Sequence, residues 1–76
     1  MTTLFRGENW KLVVQGREHG APHVHLWWPG GRAVVAIRTL DLLEGRPPSS
    51  LLIAARAWLR EHREAVLAEW RRLNPR

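Results

Sequence analysis

The chain has 76 residues, of which five are Trp and none is Cys, so one small domain over residues 1–76 without disulfides or thiolate ligands is predicted. Its formal net charge of +5 favours an acidic partner such as RNA or another nucleic acid. Because it has no apolar run of the roughly 18–20 residues that a membrane span needs and no secretion signal at its start, we expect a cytoplasmic protein without a membrane partner.

The first half of the chain predicts a three-stranded antiparallel sheet, with a short fourth strand as an option. Each run is rich in β-forming residues, and a Pro-Gly-Gly turn between the second and third favours a hairpin. The predicted strands are 10–15, 23–27 and 32–38, and the optional one is 41–43. On the second strand, alternation turns Val24 and Leu26 towards one face and His23, His25 and Trp27 towards the other.

The second half predicts a helix that begins at Ser49 or Ser50 and ends near Leu73. A straight helix of this length would be about 36 Å long, whereas the strands would span only about 23 Å. We therefore expect a helix that is kinked or split in two near residues 60–63 and that packs on one face of the sheet. The predicted fold class is α+β.

Three of the four histidines lie within seven residues. His23 and His25 share a strand face, with Cβ atoms about 7 Å apart, and His19 lies in the preceding connection, which can bend back towards them. We interpret His19, His23 and His25 as candidate catalytic residues. The residues expected to bind the substrate are Glu18, Arg17, Arg38 and Trp27.

Three chemistries are compatible with this cluster. The alternative without a function is that these are ordinary histidines on a solvent-facing sheet. Imidazoles carry protons near neutral pH while arginines stabilise a phosphorane, which is the chemistry of a metal-independent ribonuclease without a cofactor. The same three histidines, His19, His23 and His25, have the donor atoms for zinc with an open fourth position. Histidine, Trp27 and arginine together are also suited to recognising a nucleic acid or a protein without catalysis.

The chain resembles the bacterial family catalogued as domain of unknown function 4160. The resemblance rests on the segment 18–25, whose sequence is EHGAPHVH, on a later Gly-Arg-Pro-Pro segment, and on Trp58 and Trp70 in the helix. Ala21 stands where the family usually has a proline. The resemblance implies a compact α+β protein and a toxin-like member of a toxin–antitoxin pair, with RNA as its target and a small antitoxin-like protein as its partner.

These observations favour a toxin-like protein that binds RNA and cleaves it through the histidine cluster. The alternative is a non-enzymatic protein- or DNA-binding module, and a second alternative is a small metal-binding protein rich in histidine. Self-association as a homodimer is a further expectation, because so short a chain buries only about 60% of its unfolded surface.

Overall fold

A computed structural model describes residues 1–75 and contains one antiparallel sheet of five strands followed by one helix. The elements are β1 (Thr2–Arg6), β2 (Lys11–Val14), β3 (His23–Trp28), β4 (Gly31–Ala36), β5 (Leu42–Glu44) and α1 (Ser49–Leu73). In the sheet the strands lie in chain order, so each strand pairs with its neighbour in sequence and needs only a short connection.

The α+β class is correct, but the prediction of a three-stranded sheet is wrong, because the sheet has five strands. The missed edge strand β1 pairs with β2 through a register shift between Thr3 and Phe5. Such a bulge interrupts the period-two alternation by which a strand is recognised. β5 has three residues and meets β4 across a second register shift, between Val34 and Val35. β1 is therefore held by pairing that local sequence does not display, whereas β5 overlaps the optional strand predicted at 41–43.

The prediction that the helix is split in two is also wrong, since α1 is a single helix of 25 residues. Within it, His62 has non-helical dihedral angles (φ −117°, ψ 18°), at a position inside the range 60–63. The His62 imidazole lies 2.8 Å from the carbonyl oxygen of Trp58 and stacks on its indole, with ring centroids 4.1 Å apart. The side chain thus supplies a contact to the turn where the backbone deviates, and the helix continues beyond it.

The break was expected because the helix is longer than the strands. The connection between β2 and β3 lies under the end of the helix and so covers part of its excess length. Asn74, which caps the end of α1, donates from Nδ2 to the carbonyl oxygen of Gln15 at 3.0 Å. A Cβ atom on Gly16 would lie 3.1 Å from the carbonyl oxygen of Leu73, so this connection passes close against the last turn of the helix. Residues beyond the strand ends therefore extend the surface on which the helix packs.

The hydrophobic core lies between α1 and one face of the sheet. The strands supply alternate side chains that are aligned by the cross-strand register, and the helix supplies a stripe of buried ones. Burying one such aliphatic side chain contributes roughly 1.5–3 kcal/mol. The central members are Leu12, Val24, Leu26, Val35, Leu59, Val66 and Trp70.

β1 is fastened to the last turns of the helix. The Thr2 hydroxyl donates to the Glu69 carboxylate, which also accepts from Arg72. These hydrogen bonds, the one from Arg72 first, lower the pKa of Glu69 to about 2. Among residues 1–75, no helix combines the length and the apolar character that crossing a membrane requires.

Candidate functional site

The side chains of Glu18, His23 and His25 converge beside β3. The Oε1 atom of Glu18 lies 2.7 Å from Nε2 of His25 and 3.1 Å from Nε2 of His23. The two imidazole centroids are 5.3 Å apart. The side chains of Glu18, His23 and His25 are 22%, 13% and 17% exposed, so the group is largely withdrawn from water but still accessible. We call these three residues the carboxylate–histidine centre.

β3 positions the two imidazoles through its alternation. Val24 is fully buried in the core and fixes the strand, so His23 and His25 on either side of it point the other way. At the start of the strand, the His23 ring also lies 4.8 Å from the ring of Trp70. Contact with a buried residue of α1 therefore restricts the orientation of His23.

Glu18 is brought to the histidines by the end of the helix. Its backbone N–H donates to Oδ1 of Asn74 at 2.8 Å, across 56 positions of sequence. The loop turns tightly on both sides of Glu18, with positive φ at Arg17 (58°) and at Gly20 (88°). A long-range hydrogen bond and two left-handed residues thus determine where this carboxylate lies.

The hydrogen bonds of His23 restrict its protonation. Nδ1 lies 2.9 Å from the carbonyl oxygen of Ala21, which can only accept, so Nδ1 carries a hydrogen. Nε2 faces the carboxylate of Glu18, a second acceptor. His23 therefore either carries both protons as an imidazolium or directs the lone pair of Nε2 at the position between Glu18 and His25.

Two of the three predicted catalytic histidines belong to this centre. His19 is exposed and lines the cavity in front of it, but among residues 1–75 the group whose ligand atoms converge consists of Glu18, His23 and His25. The structure thus places Glu18, which was expected to contact substrate, in the position expected for His19.

The remaining predicted residues surround the centre without joining it. Arg17 is exposed and lines a neighbouring cavity with Trp70 and Asn74. Arg38 is exposed and borders another cavity beside Pro22. Both guanidinium groups are thus available to solvent on the flanks of the loop that carries Glu18.

Trp27 lies two positions after His25 on the same side of β3, paired with Lys11 on one neighbour strand and Arg32 on the other. The ammonium of Lys11 is 4.8 Å from the indole centroid, and the guanidinium of Arg32 is 6.0 Å from it. The indole Nε1 is buried and has no hydrogen-bond partner within residues 1–75. We call Trp27, Lys11 and Arg32 the cationic indole patch.

Sequence reasoning missed two residues of this region. Glu44 on β5 lines the same cavity as the centre, because the register pairs it with Val34 beside His25. Asn74 holds Glu18 from the helix end. The optional strand at 41–43 was a signal that could have placed Glu44 next to the third predicted strand. By contrast, nothing in the sequence near Asn74 indicates that it bonds Glu18.

Comparison with known proteins gave one family match. Residues 11–71, from the first residue of β2 to the last turn of α1, match the family model described as "Domain of unknown function (DUF4160)". The matched stretch contains the carboxylate–histidine centre and the cationic indole patch. No curated protein and no solved structure matches the chain.

Proposed function

The chain belongs to the DUF4160 family, as its EHGAPHVH segment predicts, and from its site we propose that it binds RNA and cleaves it at the carboxylate–histidine centre. The observation that carries the proposal is the convergence of Glu18, His23 and His25 on the side of β3 that also presents the cationic indole patch. The family resemblance adds the biological setting, a cytoplasmic toxin-like protein that is inhibited by a small antitoxin-like partner.

The centre contains the groups that RNA cleavage requires. When a ribose 2′-hydroxyl attacks the adjacent phosphodiester, one group accepts the hydroxyl proton and another delivers a proton to the departing 5′-oxygen. The products are a 2′,3′-cyclic phosphate and a 5′-hydroxyl. Histidine exchanges protons near neutral pH, and a carboxylate that bonds the imidazole fixes its orientation. Glu18 makes that bond to Nε2 of His25, whose other ring nitrogen is then the one that exchanges protons. Nδ1 of His23 faces the carbonyl oxygen of Ala21, so His23 exchanges a proton only through Nε2, beside Glu18.

The cationic indole patch is suited to holding the RNA strand. An indole face stacks on any base, and such stacking contributes about 1–3 kcal/mol per base. Lys11 and Arg32 stand on either side of Trp27 and supply positive charge for the backbone phosphates. A single-stranded segment bound here would extend along β3 from Trp27 towards His25.

Replacing His25 or His23 by alanine tests the proposal. We expect either change to lower the rate of RNA cleavage by about 10²–10⁴-fold, because each removes a proton-transfer group or its partner. The measurement is cleavage of a labelled single-stranded RNA, with the cyclic phosphate identified by mass spectrometry and folding checked by circular dichroism. The matched control is His62→Ala, since His62 is an exposed histidine on the helix.

His19→Ala distinguishes the catalytic set predicted from the sequence, which includes His19, from the carboxylate–histidine centre, which does not. Activity retained in this variant favours the carboxylate–histidine centre, whereas loss equal to that of His25→Ala favours the predicted set with His19. Cleavage that is unchanged in folded His23→Ala and His25→Ala variants would rule out the proposal.

A non-enzymatic binding module is the second candidate, and the cationic indole patch favours it. If the purified protein leaves RNA intact but forms a stable complex with a nucleic acid or a protein, and Trp27→Ala abolishes that complex, binding alone is the function.

A further inference from the structure

We propose that Glu18, His23 and His25 bind a divalent transition-metal ion of the zinc class. The inference shares its site with the proposed function and rests on it for the use made of the ion: with the ion bound, its water would replace the imidazoles of His23 and His25 as the base. Ion binding itself is measurable without RNA. It replaces the expected set of three histidines by two histidines and one carboxylate.

The distances are close to those of a zinc site. One ligand atom from each of the three residues lies within 4.8 Å of the others, and Oε1 of Glu18 is 2.7 and 3.1 Å from the two Nε2 atoms. Zinc binds nitrogen and carboxylate oxygen at about 2.0–2.2 Å, so the ligands of a tetrahedral ion are roughly 3.3–3.6 Å apart. Side-chain shifts of less than about 1 Å would admit the ion.

The second nitrogen of His23 has the partner that a metal ligand requires. Histidine ligands donate their other ring N–H to a carbonyl or a carboxylate, which fixes the tautomer and aims the lone pair at the ion. Nδ1 of His23 donates to the carbonyl oxygen of Ala21 at 2.9 Å, so Nε2 is directed into the centre. An ion there would give His23, His25 and Glu18 a common partner without an extra proton on His23.

The centre is held in place before any ion binds. His23 and His25 stand on a strand whose intervening residue, Val24, is fully buried, and Glu18 is anchored by its N–H to Asn74. Little rearrangement is therefore needed on binding, which favours affinity because less conformational entropy is lost.

The open side of the centre indicates a site of the catalytic type. Structural zinc sites have four protein ligands, whereas catalytic ones have three and leave a position for water or substrate. The cavity in front of the centre is also lined by His19 and Glu44, which places two further polar groups near that position. An ion bound here would lower the pKa of its water to about 7 and so supply a base at neutral pH.

The donor set determines which ions fit. Two imidazoles and one carboxylate suit zinc and its neighbours in the first transition series, whereas Mg²⁺ and Ca²⁺ prefer oxygen ligands in greater number. Mg²⁺ thus serves as the ion control.

Titration of the full chain with ZnCl₂, in the absence of RNA, tests the inference. We expect the melting temperature to rise by roughly 10 °C or more when zinc is in hundredfold excess over its dissociation constant, with no comparable rise in Mg²⁺. Glu18→Gln and His25→Ala should weaken zinc binding by more than the roughly 10–100-fold that loss of an outer partner costs. His62→Ala should bind zinc as the unmodified chain does.

A second measurement is used for variants whose melting temperature is lowered by the substitution itself. Co²⁺ bound in place of zinc gives visible absorption bands whose intensity reports coordination at a temperature where all variants are folded. The inference is overturned if micromolar zinc leaves the melting temperature unchanged and Co²⁺ gives no bands, or if Glu18→Gln and His25→Ala bind as tightly as the unmodified chain. Zinc binding without RNA cleavage would leave the inference standing and reject the proposed function. RNA cleavage that persists in the presence of a chelator, in a protein that binds no zinc, would reject the inference and leave the proposed function standing.

Discussion

Replacing Trp70 by alanine is expected to lower the free energy of unfolding by about 3–5 kcal/mol, as truncation of a buried Trp does. Trp70 is 6% exposed and belongs to the core cluster, and its ring lies 4.8 Å from that of His23. A domain of this size has only a small folding free energy, so the change removes a large part of it. The effect on the site follows, since His23 loses the ring that it packs against.

Urea unfolding followed by circular dichroism measures this effect. Trp70→Phe is the matched control, because it retains an aromatic ring and should recover part of the loss. Trp58→Ala should cost less than Trp70→Ala, since Trp58 is only partly buried. A cost below about 1 kcal/mol for Trp70→Ala would contradict the packing described for the end of α1.

Gly45→Ala is expected to lower the free energy of unfolding by roughly 2–4 kcal/mol. A Cβ atom at this position would lie 2.4 Å from the carbonyl oxygen of Arg32 and 2.8 Å from Cα of Ala33, both in the backbone of β4. The φ angle of +93° adds strain for any side chain. Relief requires the end of β5 to move away from β4, and Glu44 would move with it out of the cavity beside His25.

Gly20→Ala separates the two contributions to the cost of Gly45→Ala, which are the steric clash with β4 and the backbone strain of a positive φ angle. Gly20 has a similar φ of +88°, but nothing lies within 4 Å of the Cβ atom that the change would add. Its variant should therefore lose only the strain energy, about 1 kcal/mol, in the same urea experiment. Equal losses in the two variants would show that the approach of Gly45 to β4 does not matter.

The sequence predicts those features that depend on local periodicity. β3 is found because Val24 and Leu26 alternate with polar residues, and burial of the two aliphatic side chains enforces that alternation. Both ends of the helix lie close to the predicted residues. Here too the signal is local periodicity, because the apolar stripe of the helix packs on the sheet. The strand placement of His23 and His25 follows directly.

Features that depend on distant contacts are not predictable in this way. β1 has a bulge that disturbs its alternation, and pairing with β2 rather than propensity makes it a strand. The position of Glu18 depends on Asn74, and no periodicity links two residues 56 positions apart. The end of the helix packs against residues 15 and 16, and no local periodicity reveals this contact between distant parts of the chain.

The claim on which the proposed site depends is that the Glu18 carboxylate joins His23 and His25 in one centre. Its most direct test is the long-range ¹H–¹⁵N NMR spectrum of the imidazole rings in the unmodified chain and in Glu18→Gln. We predict that the ring-nitrogen signals of both His23 and His25 shift, because each Nε2 loses its charged partner, while those of His62 stay in place. Signals of His23 and His25 that are unchanged in a folded Glu18→Gln protein would contradict the claim.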